Sequence, residues 1–174
     1  MPSQYPNALS LSKRVLRALV ALNLAAGVLI FAMLVMSFVA KTWLVTALGG
    51  GRTSENESLV LAMRSIMLIG IASVPLTHTV LSRLLAMVET VREGDPFIAK
   101  NAARLQGIAW AVLGLEVMHV AVVSIAAAVS TDTYPIDIKW RLNVGRIVTV
   151  LMLFVLARVF ELGARMRDDL AGTV

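Results

Sequence analysis

The chain has 174 residues, 58% of them hydrophobic, with a mean hydropathy of +0.81 and a formal net charge of +5. Soluble domains average about 45–50% apolar residues, so the chain has either a large core or membrane spans, and the long apolar runs decide between them. The absence of cysteine excludes disulfides, thiolate metal sites and cysteine-held iron–sulfur clusters.

Met1 to Ser12 is a short polar lead. Ala18 to Ala40 then runs without a single charge, long enough to read as a membrane span. Lys13, Arg14 and Arg17 ahead of it imitate the start of a signal peptide. The apolar run exceeds a signal's usual ~7–15 residues, however, and Phe38-Val39-Ala40 is a poor cleavage site, so a retained anchor is expected. The link that follows contains GGGRTSENES. Its Ser54 and Glu57, three residues apart, form a capping-box pattern that predicts a helix start. A second span is expected over roughly 61–87, where Ile66 to Ser82 has only His78 as an ionisable residue. A third covers roughly 105–129 and contains Glu116 and His119; a fourth covers roughly 143–163, its apolar centre flanked by Arg146 and Arg158. Between the last two lies STDTYPIDIKWR, whose Tyr134 and Trp140 suit an interfacial belt, as Trp43 does after the first span. Hydrocarbon leaves unpaired backbone groups unsatisfied, so each span must be helical. The expected fold is all-α: one domain over 1–174, an integral membrane four-helix bundle.

Between spans two and three, Val91 to Gly107 reads VREGDPFIAKNAARLQG. Gly94 can take the left-handed conformation that ends a helix. Asp95 is a good N-cap, and Pro96 fits a first helical position. The expectation is a tight turn joining a short helical hairpin. Phe97, Ile98 and Leu105 give it an apolar side, and Arg92, Lys100 and Arg104 a polar one. With four spans both termini share a side with this hairpin. That side holds ten of the sixteen basic residues, so the positive-inside rule assigns it to the cytoplasm.

At these residues the chain resembles the bacterial DUF2975-type four-span membrane protein family. One mark of that family is a glycine and a phenylalanine after span two, then an asparagine and a leucine-x-glycine entering span three. Here they are Gly94, Phe97, Asn101, Leu105 and Gly107. The second mark is a phenylalanine-x-x-glycine leaving span four, an acidic pair and a closing threonine-aliphatic: Phe160, Gly163, Asp168, Asp169, Thr173 and Val174. The resemblance implies an integral membrane protein with no established activity, encoded in some genomes beside a small helix-turn-helix regulator. It carries over no catalytic residues.

Ionisable residues inside a membrane are costly unless paired or hydrated, which makes them the best functional pointers. From a rise of ~1.5 Å per residue, Glu116 falls near the midplane, His119 slightly outward and His78 about a turn inward. Asn23 and Arg158 are expected near the depth of His78, so Asn23, His78, Glu116, His119 and Arg158 form a candidate intramembrane polar cluster. The plainest reading is that His78 and Glu116 bond each other and fix helix register. A proton- or ligand-responsive site is the sharper alternative; a bis-histidine haem on His78 and His119, or a transition metal on those two and Glu116, comes after it. No set of residues suggests an enzyme.

Three functions follow in order of weight. The first is an inner-membrane protein of regulatory or interaction type. It would present Arg92, Gly94, Asp95, Phe97, Lys100, Asn101, Asp168 and Asp169 to a partner. The second is a small transporter, or a transporter subunit, built on His78 and Glu116. The third is a b-type haem protein. The expected location is the bacterial cytoplasmic membrane, multi-pass, with both termini cytoplasmic. The expected partners are membrane lipid, a cytoplasmic regulator protein and a second copy of the chain. Nucleic acid is not expected, since no soluble domain exists to bind it.

Overall fold

The computed structural model describes residues 5–40, 57–94, 96–130 and 144–171. These form four helices: α1 Tyr5–Val39, α2 Glu57–Arg92, α3 Ala99–Val129 and α4 Val144–Ala171. All four are long and apolar enough to cross a membrane. Even α4, with 28 residues, is about 42 Å long against a hydrocarbon core of about 30 Å. The extensive packing is between chain neighbours: α1 on α2, α2 on α3 and α3 on α4. Large apolar side chains remain exposed along the outer faces, among them Val28, Leu29 and Phe31 on α1 and Leu151, Met152 and Val155 on α4. Such surfaces suit lipid, and they define the chain as a multi-pass helical membrane protein.

The α1–α2 seam follows from spacing. From Ser10 onward, Lys13, Leu16, Val20, Asn23, Gly27, Ile30, Leu34 and Ser37 line the less exposed face of α1, with Met33 at its edge. Their separations alternate between three and four residues, the period that keeps one helix face against a neighbour. Gly27 lets Val74 approach: a Cβ there would lie 2.9 Å from Val74 Cγ2. Asn23 donates from Nδ2 to the Val74 carbonyl at 3.1 Å. At one end of the seam Arg64 reaches the last turn of α1. It donates to Ser37 Oγ (2.8 Å) and to the Ser37 carbonyl (2.6 Å), and its guanidinium lies 4.0 Å from the centre of the Phe38 ring. α1 has no basic residue in its own last turn. Arg64 therefore supplies, from the next helix, the cation that the exposed carbonyls at a helix C-terminus favour. At the other end Lys13 pairs with Glu89 at 2.7 Å.

Pro75 lies inside α2, which continues through it. The hydroxyls of Ser73 and Thr79 donate to the carbonyls of Gly70 and Pro75. The carbonyl that the proline leaves without its helical partner is that of Ile71; these two bonds fall one residue before it and four after it.

Side-chain contacts set the register. Leu76 of α2 lies opposite Gly114 of α3, Trp110 of α3 stacks edge-on against Phe154 of α4, and Phe97 meets Phe160. The first turn of α4 therefore meets α3 near Glu116, at mid-length, while its last turns run past the α2–α3 connection. This corrects the expected depth of Arg158. It lies level with Arg104, whereas His78 lies level with Val112. The gap is eight residues of α3, or about 12 Å.

The α2–α3 turn also differs from expectation. Gly94 has φ +88°, the left-handed conformation expected of it, and its amide closes onto the Val91 carbonyl. Pro96, however, is not the first helical residue. α3 starts at Ala99, with Ile98 as an extended N-cap that has no side-chain capping bond. The non-helical stretch lets Phe97 reach across to α4, which a continuous helix from Pro96 would not allow. Asp95, Ser54, Trp43, Tyr134, Trp140, Thr173 and Val174 lie outside the described residues.

Candidate functional site

The two family-like motifs, far apart in sequence, meet at the end of the bundle that holds the α2–α3 turn. Asn101, in the first turn of α3, is fully buried. Its Nδ2 donates to Thr90 Oγ1 and to the Pro96 carbonyl, each at 2.8 Å. Its Oδ1 accepts from Arg104 Nη1 at 2.8 Å, and the same guanidinium nitrogen reaches the Ala86 carbonyl at 3.1 Å. One amide thus joins the end of α2, the turn and the start of α3. A buried amide with both ends satisfied fixes a geometry that apolar packing alone leaves loose.

Phe97 performs the second joining. Its ring centroid is 5.2 Å from that of Phe160, and a Cβ on Gly163 would lie 3.1 Å from its Cδ1. Arg167 Nη1 donates to the Phe97 carbonyl at 3.2 Å. The missing side chain of Gly163 makes room for this ring. Gly107 does the same for the Arg83 guanidinium, which occupies the place a Cβ would take and donates to the Ala103 carbonyl at 3.4 Å. Leu105 is buried beneath. Each described motif residue from Gly94 to Gly163 therefore has a local task in holding the turn, α3 and α4 together.

Of the residues expected to face a partner, Arg92, Gly94, Lys100, Asp168 and Asp169 are exposed. Phe97 is 44% exposed, so one edge remains open beside its contact with α4. Asn101 is corrected: at 0% exposure it supports the surface from beneath and offers nothing to a partner. Lys13 and Glu89 extend the polar region toward α1. Glu89 lies beyond the apolar 61–87 stretch. The hydrogen bond from Lys13, and then the lysine's charge, hold its carboxyl below the usual carboxylate range.

The five residues of the intramembrane candidate cluster are distributed. Asn23 bonds α2. Glu116 pairs with Arg146 at 3.5 Å. Arg158 pairs with Glu161, which also holds Arg165, both at 2.6 Å along α4. His78 is exposed, and makes no hydrogen bond or ion pair among the described residues. His119 is exposed beside Glu116 and Arg146 at one end of a groove of about 490 Å³ between α3 and α4. The register separates the levels of His78 and His119 by seven residues, so the two imidazoles do not flank one haem site. Among the described residues no three His, Asp or Glu side chains gather closely enough for a metal ion.

Sequence reasoning missed the Glu116–Arg146, Arg64–Ser37 and Lys13–Glu89 links because each joins residues on different helices. Their one advance signal was the cost of leaving a charge unpaired near hydrocarbon.

A family model described as "Protein of unknown function (DUF2975)" matches residues 42–174. No curated protein and no solved structure matches the chain.

Proposed function

The chain belongs to the DUF2975 family, whose description assigns no function, and from that premise we propose a regulatory or interaction role. The α2–α3 turn and the end of α4 lie in the cytoplasm, together with both termini, and the membrane is the bacterial inner membrane. The turn and α4 form one rigid platform that a cytoplasmic regulator protein reads. The protein works by presenting this surface and not by catalysis.

The observation that carries this reading is the convergence at one end. Asn101 and Phe97 tie the turn, α3 and α4 into a unit, while Arg92, Lys100, Asp168 and Asp169 stay on its outside. Interior groups used up by one another give rigidity, and the exposed mixture of acid and base gives a surface suited to a charged partner. The basic excess at this end supports a cytoplasmic orientation. A proton relay through His78 and Glu116 draws less support, because Glu116 is already paired with Arg146.

The test is site-specific photo-crosslinking in native membranes, with the reactive residue at Lys100 and, separately, at Asp168. The same partner band from both positions, weakened when Gly94→Val loosens the turn, is the expected result. No band from either position, or bands that ignore Gly94→Val, would remove the platform from consideration.

A further inference from the structure

We propose that the groove between α3 and α4, at the level of Glu116, Arg146 and His119, is the interface through which two copies of this chain form a dimer in the membrane. This interface lies on a different face from the turn platform and does not depend on it.

Three observations lead there. First, the ionisable groups face outward. The side chains of Glu116 and Arg146 are 29% and 43% exposed, and His119 is exposed as well. Through the helix register, Glu116 lies level with Val74 of α2 and Gly27 of α1, within the apolar stretches of both. Charged side chains at such a depth almost always face protein or water, and lipid is a poor neighbour for them. The outer face of α1 is the contrast: from Ala18 to Ala40 it carries no charge at all, as a lipid-facing helix should.

Second, the pairing within one chain is incomplete. Among the described residues a single contact of 3.5 Å joins Glu116 to Arg146, and four guanidinium N–H groups and a second carboxylate oxygen take no further partner there. A bidentate Arg–carboxylate pair has contacts nearer ~2.8 Å.

Third, the patch is complementary to itself. It carries an acid and a base at one height on neighbouring helices. Copies inserted in the same direction are related by a two-fold axis parallel to the helices. Such an axis places Glu116 of one copy at the height of Arg146 of the other, and the reverse, giving a ring of four charges in place of two separate weak pairs. Isologous contacts of this kind are the commonest in homo-oligomers. Val117, Val120, Ile147 and Leu151 are 64%, 48%, 52% and 58% exposed around the charged centre. They supply the apolar surround that excludes lipid and water from a buried polar centre. An unrelated partner would need this charge pair reproduced on its own surface, whereas a second copy has it by construction.

The chain has no cysteine, so single introduced cysteines report proximity without background. In native membranes, Val120→Cys and Leu151→Cys should give a disulfide-linked dimer on oxidation, while Val28→Cys on the outer face of α1 should not. In the Val120→Cys background, Glu116→Arg makes the patch wholly basic and Arg146→Glu makes it wholly acidic. Each alone should lower the crosslinked fraction at least tenfold, and co-expression of the two should restore a mixed dimer. A monomer at every α3–α4 position, a crosslink at Val28→Cys equal to that at Val120→Cys, or no rescue on co-expression would overturn the proposal. If a charge-reversed chain fails to accumulate, Glu116→Gln and Arg146→Gln replace it. Both should then lower the crosslinked fraction, and parental crosslinking in both would overturn the interface equally. A third protein trapped at Val120→Cys in place of the second copy would do the same.

Discussion

Replacing Asn101 by alanine removes the one side chain that, among the described residues, hydrogen-bonds from α3 to both α2 and the turn. Its buried amide makes two donor bonds, to Thr90 Oγ1 and the Pro96 carbonyl, and accepts one from Arg104. A neutral hydrogen bond contributes about 0.5–1.5 kcal/mol net and one to a charged group about 1.5–3. The partners are not all stranded: Thr90 keeps the Met87 carbonyl and Arg104 keeps that of Ala86. The Pro96 carbonyl has no such second bond among the described residues. Taking the low end for each bond gives about 2.5 kcal/mol for Asn101→Ala. Asn101→Asp retains the acceptor toward Arg104 and loses both donors, so it should fall between parent and alanine. The assay is equilibrium unfolding in mixed micelles as the SDS fraction rises, followed by far-ultraviolet circular dichroism. Had Asn101 been an exposed contact residue, alanine would cost at most about 0.5 kcal/mol. A value that small would refute its role as the joint of this end.

Gly94→Val should destabilise by roughly 1–2 kcal/mol from backbone conformation alone, because φ is +88° and no atom lies within 4 Å of the new Cβ; the same micelle titration reads it. Gly27→Ala, by contrast, meets Val74 at 2.9 Å and should cost about 1–3 kcal/mol through overpacking, a cost that Val74→Ala in the same chain should relieve. Arg64→Ala should cost about 2–4 kcal/mol by loss of two bonds from a charged donor and the Phe38 face. Arg64→Lys should recover under half of that, since a lysine cannot hold both Ser37 oxygens in a planar fork. The folded-state pKa of Glu89 is depressed, so the help this pair gives to folding is present above the ordinary carboxylate pKa of about 4.5 and is lost as pH falls through the lower folded value. A carboxyl-detected titration should show the Glu89 midpoint moving up in Lys13→Ala and unmoved in Arg14→Ala.

The helices were legible because lipid makes length and apolarity nearly sufficient evidence. Ala18 to Ala40 and Ile66 to Ser82 could hardly be anything else, and Gly94 declared a left-handed turn by its place after a polar helix end. The site was less legible for a particular reason. Asn101 looks like an exposed turn residue in a polar string, and only the convergence of Thr90, Pro96 and Arg104 around it shows that it is buried. Pro96 failed as a helix start because local propensity was overridden by Phe97 reaching for Gly163, a contact 66 residues away in the chain. The level of Arg158 differs from expectation because α4 begins opposite the middle of α3, a displacement that rise per residue along one helix does not reveal. Glu116 could be recognised as needing a partner from its charge alone. That the partner is Arg146 follows from that same displacement of α4.

The side of the membrane on which the turn lies decides whether a cytoplasmic protein can read it. Lys100→Cys in the otherwise cysteine-free chain gives the measurement: labelling with a membrane-impermeant maleimide, in intact cells and in inverted membrane vesicles. Labelling confined to the inverted vesicles is the expected result. Labelling of Lys100→Cys in intact cells would place the platform outside the cytoplasm and contradict the proposed role at its root.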